Sequence, residues 1–188
     1  DSVLGEMETS HILNHSEADT IVCSMRCYET VSRILNELPH LKNIIIFDRN
    51  ITIRRDQSGE GKGPGIVEKE NTSIHKSFFS YDDLRIRGRS FMMGGSCSLP
   101  EKKVDDLATI VYTSGTTGTA KGVMLSHGNI MTNVESDKQF MHFNNLDNFV
   151  LLLPLHHTFS FSVCMVLPLA TGAGVSFVDI MSRERSRL

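Results

Sequence analysis

The sequence predicts an α/β fold in which a mostly parallel sheet is flanked by helices. Three observations carry this. Asp19–Ser24 (D-T-I-V-C-S) and Asn43–Phe47 (N-I-I-I-F) are short, β-branched apolar runs, the pattern of parallel strands covered on both faces. Between them, Val31, Ile34, Leu35 and Leu38 recur at i, i+3, i+4 and i+7, so Tyr28–Leu38 reads as an amphipathic helix that completes a βαβ unit. Further on, the apolar run Ala108–Tyr112 enters a turn rich in glycine and hydroxyl residues, and Ser126 then stands as N-cap of a helix over about His127–Lys138.

The remaining elements follow in order. Residues 8–17 suggest a short helix ahead of the first strand. From Asp48 to Ser77 the apolar pattern lapses into charge and glycine, which reads as a mobile excursion with a weak hairpin at Asn50–Arg54. Ser80–Arg87 reads as one short capped helix and Phe91–Lys103 as a linker. Asn148–Leu153 reads as a buried strand that Pro154 terminates, Phe159–Ala170 as an apolar helix, and Gly174–Val178 as a further strand. The chain thus divides into a βαβ-like unit at 1–48, a loop and linker at 49–104, and a unit organised by the glycine-rich turn at 105–188.

Composition excludes several function classes. A chain of 188 residues can bury roughly 70% of its unfolded surface in one domain. Its net charge of −3 leaves no basic footprint, so nucleic acid is not an expected partner. No apolar run reaches about 18 residues, so no transmembrane helix is expected. The opening D-S-V-L-G-E-M-E lacks an initiator Met and a signal-peptide core, and it reads as the middle of a longer protein. Cys23, Cys27, Cys97 and Cys164 form no C-x-x-C pair and read as reduced thiols of a cytosolic protein. His11 and His15 have the i, i+4 spacing of two metal ligands on a helix. The pattern H-E-x-x-H would need Glu at Ile12, however, so an ordinary helix surface is the reading.

The residues that carry chemistry lie in Ile110–Val123, I-V-Y-T-S-G-T-T-G-T-A-K-G-V. Gly115, Gly118 and Gly122 lack a Cβ and tolerate positive φ, which lets backbone N–H groups turn toward an anion. Thr113, Ser114, Thr116, Thr117 and Thr119 add hydroxyl donors, and Lys121 adds a mobile positive charge. Hydrogen bonds to a charged group are worth roughly 1.5–3 kcal/mol each, so a few can hold a triphosphate against water. The P-loop pattern fails, because it needs Gly at Ala120 and Ser or Thr at Gly122. The dinucleotide fingerprint fails at Thr117.

The remaining spacing, S-G-T-T-G-x-x-K-G followed by V-M-L-S-H-G-N-I, closely resembles the adenylate-forming (AMP-binding) superfamily of acyl-CoA synthetases, luciferases and peptide-synthetase adenylation domains. Ala120 departs from it, since the family often has Pro there, and a looser loop is expected. The approach at Val104–Leu107 and the early helix H-I-L-N-x-S-E-A are also similar to the family. The resemblance implies an incomplete piece of the large N-terminal domain of a fatty acyl-CoA synthetase. In that family, a carboxylate attacks the α-phosphate of ATP, pyrophosphate leaves, and the acyl-adenylate passes to the thiol of coenzyme A. Residues Thr113–Thr119 and Lys121 would hold the β- and γ-phosphates. The stretch L-P-L-H-H-T-F resembles the family motif at the acyl pocket, which implies that His157, with His156 beside it, lines the carboxylate site.

The resemblance further implies ATP, magnesium and coenzyme A. The family's magnesium-binding Y-G-x-T-E segment, its ribose-holding T-G-D segment and its C-terminal catalytic lysine are not in this sequence, so the isolated chain is expected to be inactive. Two alternatives stand beside fatty-acid activation: an amino-acid or aryl-acid adenylation domain, and a non-catalytic remnant. Fatty acyl substrates leave peripheral membrane contact open, although no strongly amphipathic basic helix is evident to carry it.

Overall fold

The computed structural model describes residues 4–48, 54–55, 61–62, 76–95, 98–113 and 119–178. Residues group into two compact units, 1–100 with 114–121 and 101–113 with 122–188.

In the first unit, α1 (Glu6–His15) leads into β1 (Thr20–Cys23), α2 (Met25–Arg33) and β2 (Asn43–Ile46). Strands β1 and β2 pair in parallel, Thr20 opposite Asn43 through Cys23 opposite Ile46, which is the expected βαβ unit. A third parallel strand, β5 (Ser77–Ser80), pairs with β2 on its other side. The run S-F-F-S holds only two apolar residues and falls where the sequence pattern lapses, so it carries no strand signal of its own. It joins the sheet because Ile44 stands opposite Phe78 and Ile45 opposite Phe79.

One face of this sheet forms the core. Ile44 and Ile46 are fully buried and pack with Cys23, Tyr28, Val31, Ile34, Leu38 and Leu41. Phe78 meets Tyr28 edge-to-face at 5.8 Å. The apolar stripe read between 28 and 38 is therefore real, but its boundaries differ. The helix begins at Met25 because Ser24 accepts from Cys27 N at 3.3 Å and Asp48 Oδ2 accepts from Met25 N at 2.7 Å. It ends at Arg33, and a 3₁₀ turn at Leu35–Glu37 follows. Lys76 Nζ then donates to the Leu38 and Leu41 carbonyls at 2.6 and 2.8 Å, tying the return of the chain to β5.

Between these elements, β3 (Arg54–Arg55) pairs antiparallel with β4 (Gly61–Lys62). The expected hairpin at Asn50–Arg54 otherwise lies outside the described residues, as does most of the expected excursion at 48–77. Helix α3 (Tyr81–Met93) is capped by Ser80, as expected, but runs past Arg87 into the stretch read as a linker. The single Gly88 does not stop it, and the chain leaves the helix past Gly94 at Gly95, whose φ of +74° suits glycine.

The second unit contains β6 (Leu107–Thr113), most of β7 (Lys121–Ser126), α4 (His127–Phe140), β8 (Asn148–Leu151) and β9 (Gly174–Phe177). Strands β6 and β7 form a two-stranded sheet, and β8 pairs in parallel with β9. Ser126 caps α4 as expected, accepting from Asn129 N at 3.2 Å, with Asn129 reciprocating to Ser126 N. The expected helix at 159–170 is instead three pieces: α5 (Thr158–Phe161), a π-turn at Ser162–Val166 and α6 (Leu167–Thr171). Pro168 supplies the reason. It has no N–H to donate and its ring crowds the carbonyl four residues back, so the ladder widens just before it. Val134 of α4 and Leu167 are fully buried where α4 packs on the π-turn and α6.

Cys23 provides a test of the first core. Burial, then the neighbouring Cys27 and Asp48, push its thiol from 9.0 up to about 11. Between these two values the unfolded chain releases a proton that the folded chain keeps, so this contribution to stability is whole below pH 9 and is lost as the pH rises toward 11. We predict that iodoacetamide labels Cys23 only slowly in the native chain near pH 8. The urea midpoint should also fall between pH 9 and 11 more steeply in the parent than in Cys23→Ala. Fast native labelling of Cys23 would contradict this account of the core.

Candidate functional site

The glycine-rich turn runs between two strands that pair with each other. Thr113 closes β6 and Lys121 opens β7, and both side chains are exposed, as is that of Thr119. Ser114, Gly115, Thr116, Thr117 and Gly118 lie outside the described residues. Strand β7 is not read from the sequence, because Lys-Gly-Val-Met-Leu-Ser lacks a clean alternation and merges with the turn.

Gly122 is needed for a different reason from the one its sequence context suggests. It is not among the positive-φ glycines of the described residues, which are Gly95 and Gly172. A Cβ at 122 would stand 2.8 Å from Ile110 Cγ2 and 3.2 Å from Tyr112 Cζ. The strand that carries Lys121 therefore lies close on the side chains of β6, and any side chain at 122 would force them to move.

On the other side of the turn, Ala120 is held from a distant part of the sequence. His11 Nε2 on α1 donates to the Ala120 carbonyl at 2.9 Å. His11 is half-buried, and its ring lies 5.4 Å from that of His15. This differs from the ordinary helix surface read from the i, i+4 spacing, which gives no sign of a partner more than a hundred residues away. Among the described residues no group of three or more His, Cys, Asp or Glu side chains is placed to hold a metal ion.

His156 and His157 sit together at the start of α5, ring centroids 4.5 Å apart, and both are exposed. His157 N donates to the Pro154 carbonyl at 3.1 Å and its own carbonyl accepts from Phe161 N at 3.0 Å, so its backbone starts the helix. Desolvation, then the neighbouring His157, lower the pKa of His156 and favour a neutral imidazole there. One turn on, Ser160 is fully buried and its Oγ has no hydrogen-bond partner among the described residues. It borders the π-turn, a backbone irregularity often found at functional sites. Nothing in the sequence marks it, since a serine among apolar residues reads as tolerated packing.

Comparison with known proteins places these features in one family. The family described as AMP-binding enzyme matches residues 1–188. The peroxisomal long chain acyl-CoA synthetase 7 of Arabidopsis thaliana is 32% identical over 156 residues, covering 83% of this chain and 20% of the relative. Among solved structures, an anthranilate CoA ligase in complex with anthranoyl-AMP superposes with a TM-score of 0.69 at 18% identity, over 98% of this chain and 31% of that one. The ATP-bound MatB of Rhodopseudomonas palustris superposes with a TM-score of 0.60 at 20% identity, over 95% of this chain and 29% of that one. The chain spans about a fifth of the length of the curated relatives it matches. The α/β architecture with parallel strands and flanking helices is that of these adenylate-forming domains.

Two substitutions test the local geometry. Gly122→Ala forces Ile110 and Tyr112 to shift and is expected to cost about 1–3 kcal/mol in urea unfolding, the usual scale of overpacking. Ser160→Ala removes a buried hydroxyl without a partner and should leave stability unchanged or raise it by about 1 kcal/mol. A neutral Gly122→Ala, or a Ser160→Ala that destabilises by as much as a cavity in the core, would contradict these placements.

Proposed function

Since the chain belongs to the AMP-binding enzyme family, we propose that it contributes the ATP phosphate-binding loop of an acid–thiol ligase that activates a long-chain fatty acid. The observation that carries this reading is the run Thr113–Lys121, a turn rich in hydroxyls and glycine that ends in a lysine and is strung between two paired strands. Long chain acyl-CoA synthetases among the relatives support the acid and the thiol as fatty acid and coenzyme A.

In this reading the fatty-acid carboxylate attacks the α-phosphate of ATP, and the bond to the β-phosphate oxygen breaks with release of pyrophosphate. The acyl-adenylate then passes its acyl group to the coenzyme A thiol, and AMP leaves. The chain's part in the first step is to position the triphosphate and to neutralise charge on the departing pyrophosphate. Thr113, Ser114, Thr116, Thr117 and Thr119 offer hydroxyl donors, Gly115 and Gly118 offer backbone N–H groups, and Lys121 offers a positive charge. His156 and His157 would border the carboxylate site, where a neutral His156 can hydrogen-bond an acid without adding charge. A magnesium ion would lower the charge of ATP.

No described helix is long and apolar enough to cross a membrane. Cys23, Cys27 and Cys164 are free thiols, which supports a reducing compartment such as the cytoplasm, with peripheral contact to a membrane compatible with a fatty acyl substrate.

Titration calorimetry of the 188-residue chain with MgATP, and separately with a long-chain fatty acid, tests the assignment. Thr116→Ala and Lys121→Ala each remove one charge-assisted contact, worth roughly 1.5–3 kcal/mol, and should weaken ATP binding about ten- to a hundredfold while leaving fatty-acid binding alone. His157→Ala should do the reverse. Unchanged ATP binding in both loop variants would move the phosphate site away from 113–121.

A further inference from the structure

We propose that His11 is a positioning residue for the phosphate loop, acting through the Ala120 carbonyl on the peptide unit that carries the Lys121 N–H. The inference rests on the phosphate-binding reading of 113–121. Because a carbonyl only accepts, the 2.9 Å contact requires the proton on His11 Nε2. The Ala120 carbonyl and the Lys121 N–H belong to one planar trans peptide, so fixing one fixes the direction of the other. His11 thereby sets how the backbone enters β7 at the residue whose side chain is assigned to the phosphates.

The clamp has a firm base. Helix α1 is tied to the segment after α2 by Asn14 Nδ2 donating to the Glu37 carbonyl at 2.9 Å and Ser10 Oγ donating to Glu37 Oε2 at 3.1 Å. Leu13, two residues from His11, packs against the core formed by β1, β2 and α2. A half-buried hydrogen bond on such a base is stronger than one in open water. Ala120 also needs the restraint. Alanine leaves φ free where proline would fix it, and a loop whose exit is already held loses less freedom when an anion binds. The i, i+4 histidines thus find a use without a metal: one of them reaches across to the loop.

The test uses the 188-residue chain with MgATP as probe and two variants of opposite design. His11→Phe keeps a ring but loses the donor, whereas His11→Gln keeps an N–H donor. His11→Phe is expected to weaken MgATP binding roughly three- to tenfold and to speed amide hydrogen exchange at 119–122 without nucleotide, with only a small fall in the urea midpoint. His11→Gln should restore most of both. Lys121→Ala serves as the reference for the phosphate reading. If Lys121→Ala weakens MgATP binding while His11→Phe leaves binding and exchange as in the parent, the positioning role is overturned and the phosphate loop stands. Equal losses in His11→Gln and His11→Phe would make His11 a packing residue and overturn the role as well. If Lys121→Ala leaves binding intact, the phosphate reading falls and takes the positioning role with it.

Discussion

Strand β7 can lie beside β6 because position 122 has no side chain. An atom placed there would sit 2.8 Å from Ile110 Cγ2, closer than carbon atoms pack, so any other residue would force Ile110 and Tyr112 to shift. The pairing of β6 with β7 determines where the turn begins and ends, and Thr113 and Lys121 stand at those two points. A glycine in such a turn is usually credited with backbone freedom. Here one of the three works by absence of volume, which makes it a packing residue as much as a loop residue.

The loop's exit is held a second time, from α1. That helix buries no residue completely, yet it is fixed through Asn14, Ser10 and Leu13 to a core whose central strand carries Ile44 and Ile46 at 0% exposure. The parallel ladder β1–β2–β5 carries the buried core, α1 is attached to it, and His11 extends that attachment to Ala120.

The pair His156–His157 depends on a different irregularity. Pro168 cannot continue the regular ladder, the helix widens into a π-turn at Ser162–Val166, and Ser160 is left buried with an unused hydroxyl. The histidines precede this break and are exposed at its head. A regular helix would have spread residues 158–171 evenly around one axis. The break separates the exposed histidine end from the buried Leu167–Pro168 end, where α6 packs under α4.

The amino-acid sequence by itself determined the fold class, the βαβ unit, the Ser126 cap and the family. Each is written in neighbouring residues: β-branched runs, an i, i+3, i+4, i+7 stripe, a serine at the head of a helical stretch, and the spacing S-G-T-T-G-x-x-K-G. Tertiary structure alone decided the rest, because the deciding partners lie far apart along the chain. Ser77–Ser80 is a strand only beside Ile44 and Ile45, and Gly122 is obligatory only under Ile110 and Tyr112. His11 has a role only because Ala120, 109 residues later, presents its carbonyl at 2.9 Å. Local patterns fix which conformation a segment prefers, whereas steric exclusion and hydrogen bonding between distant segments exist only once the chain has folded.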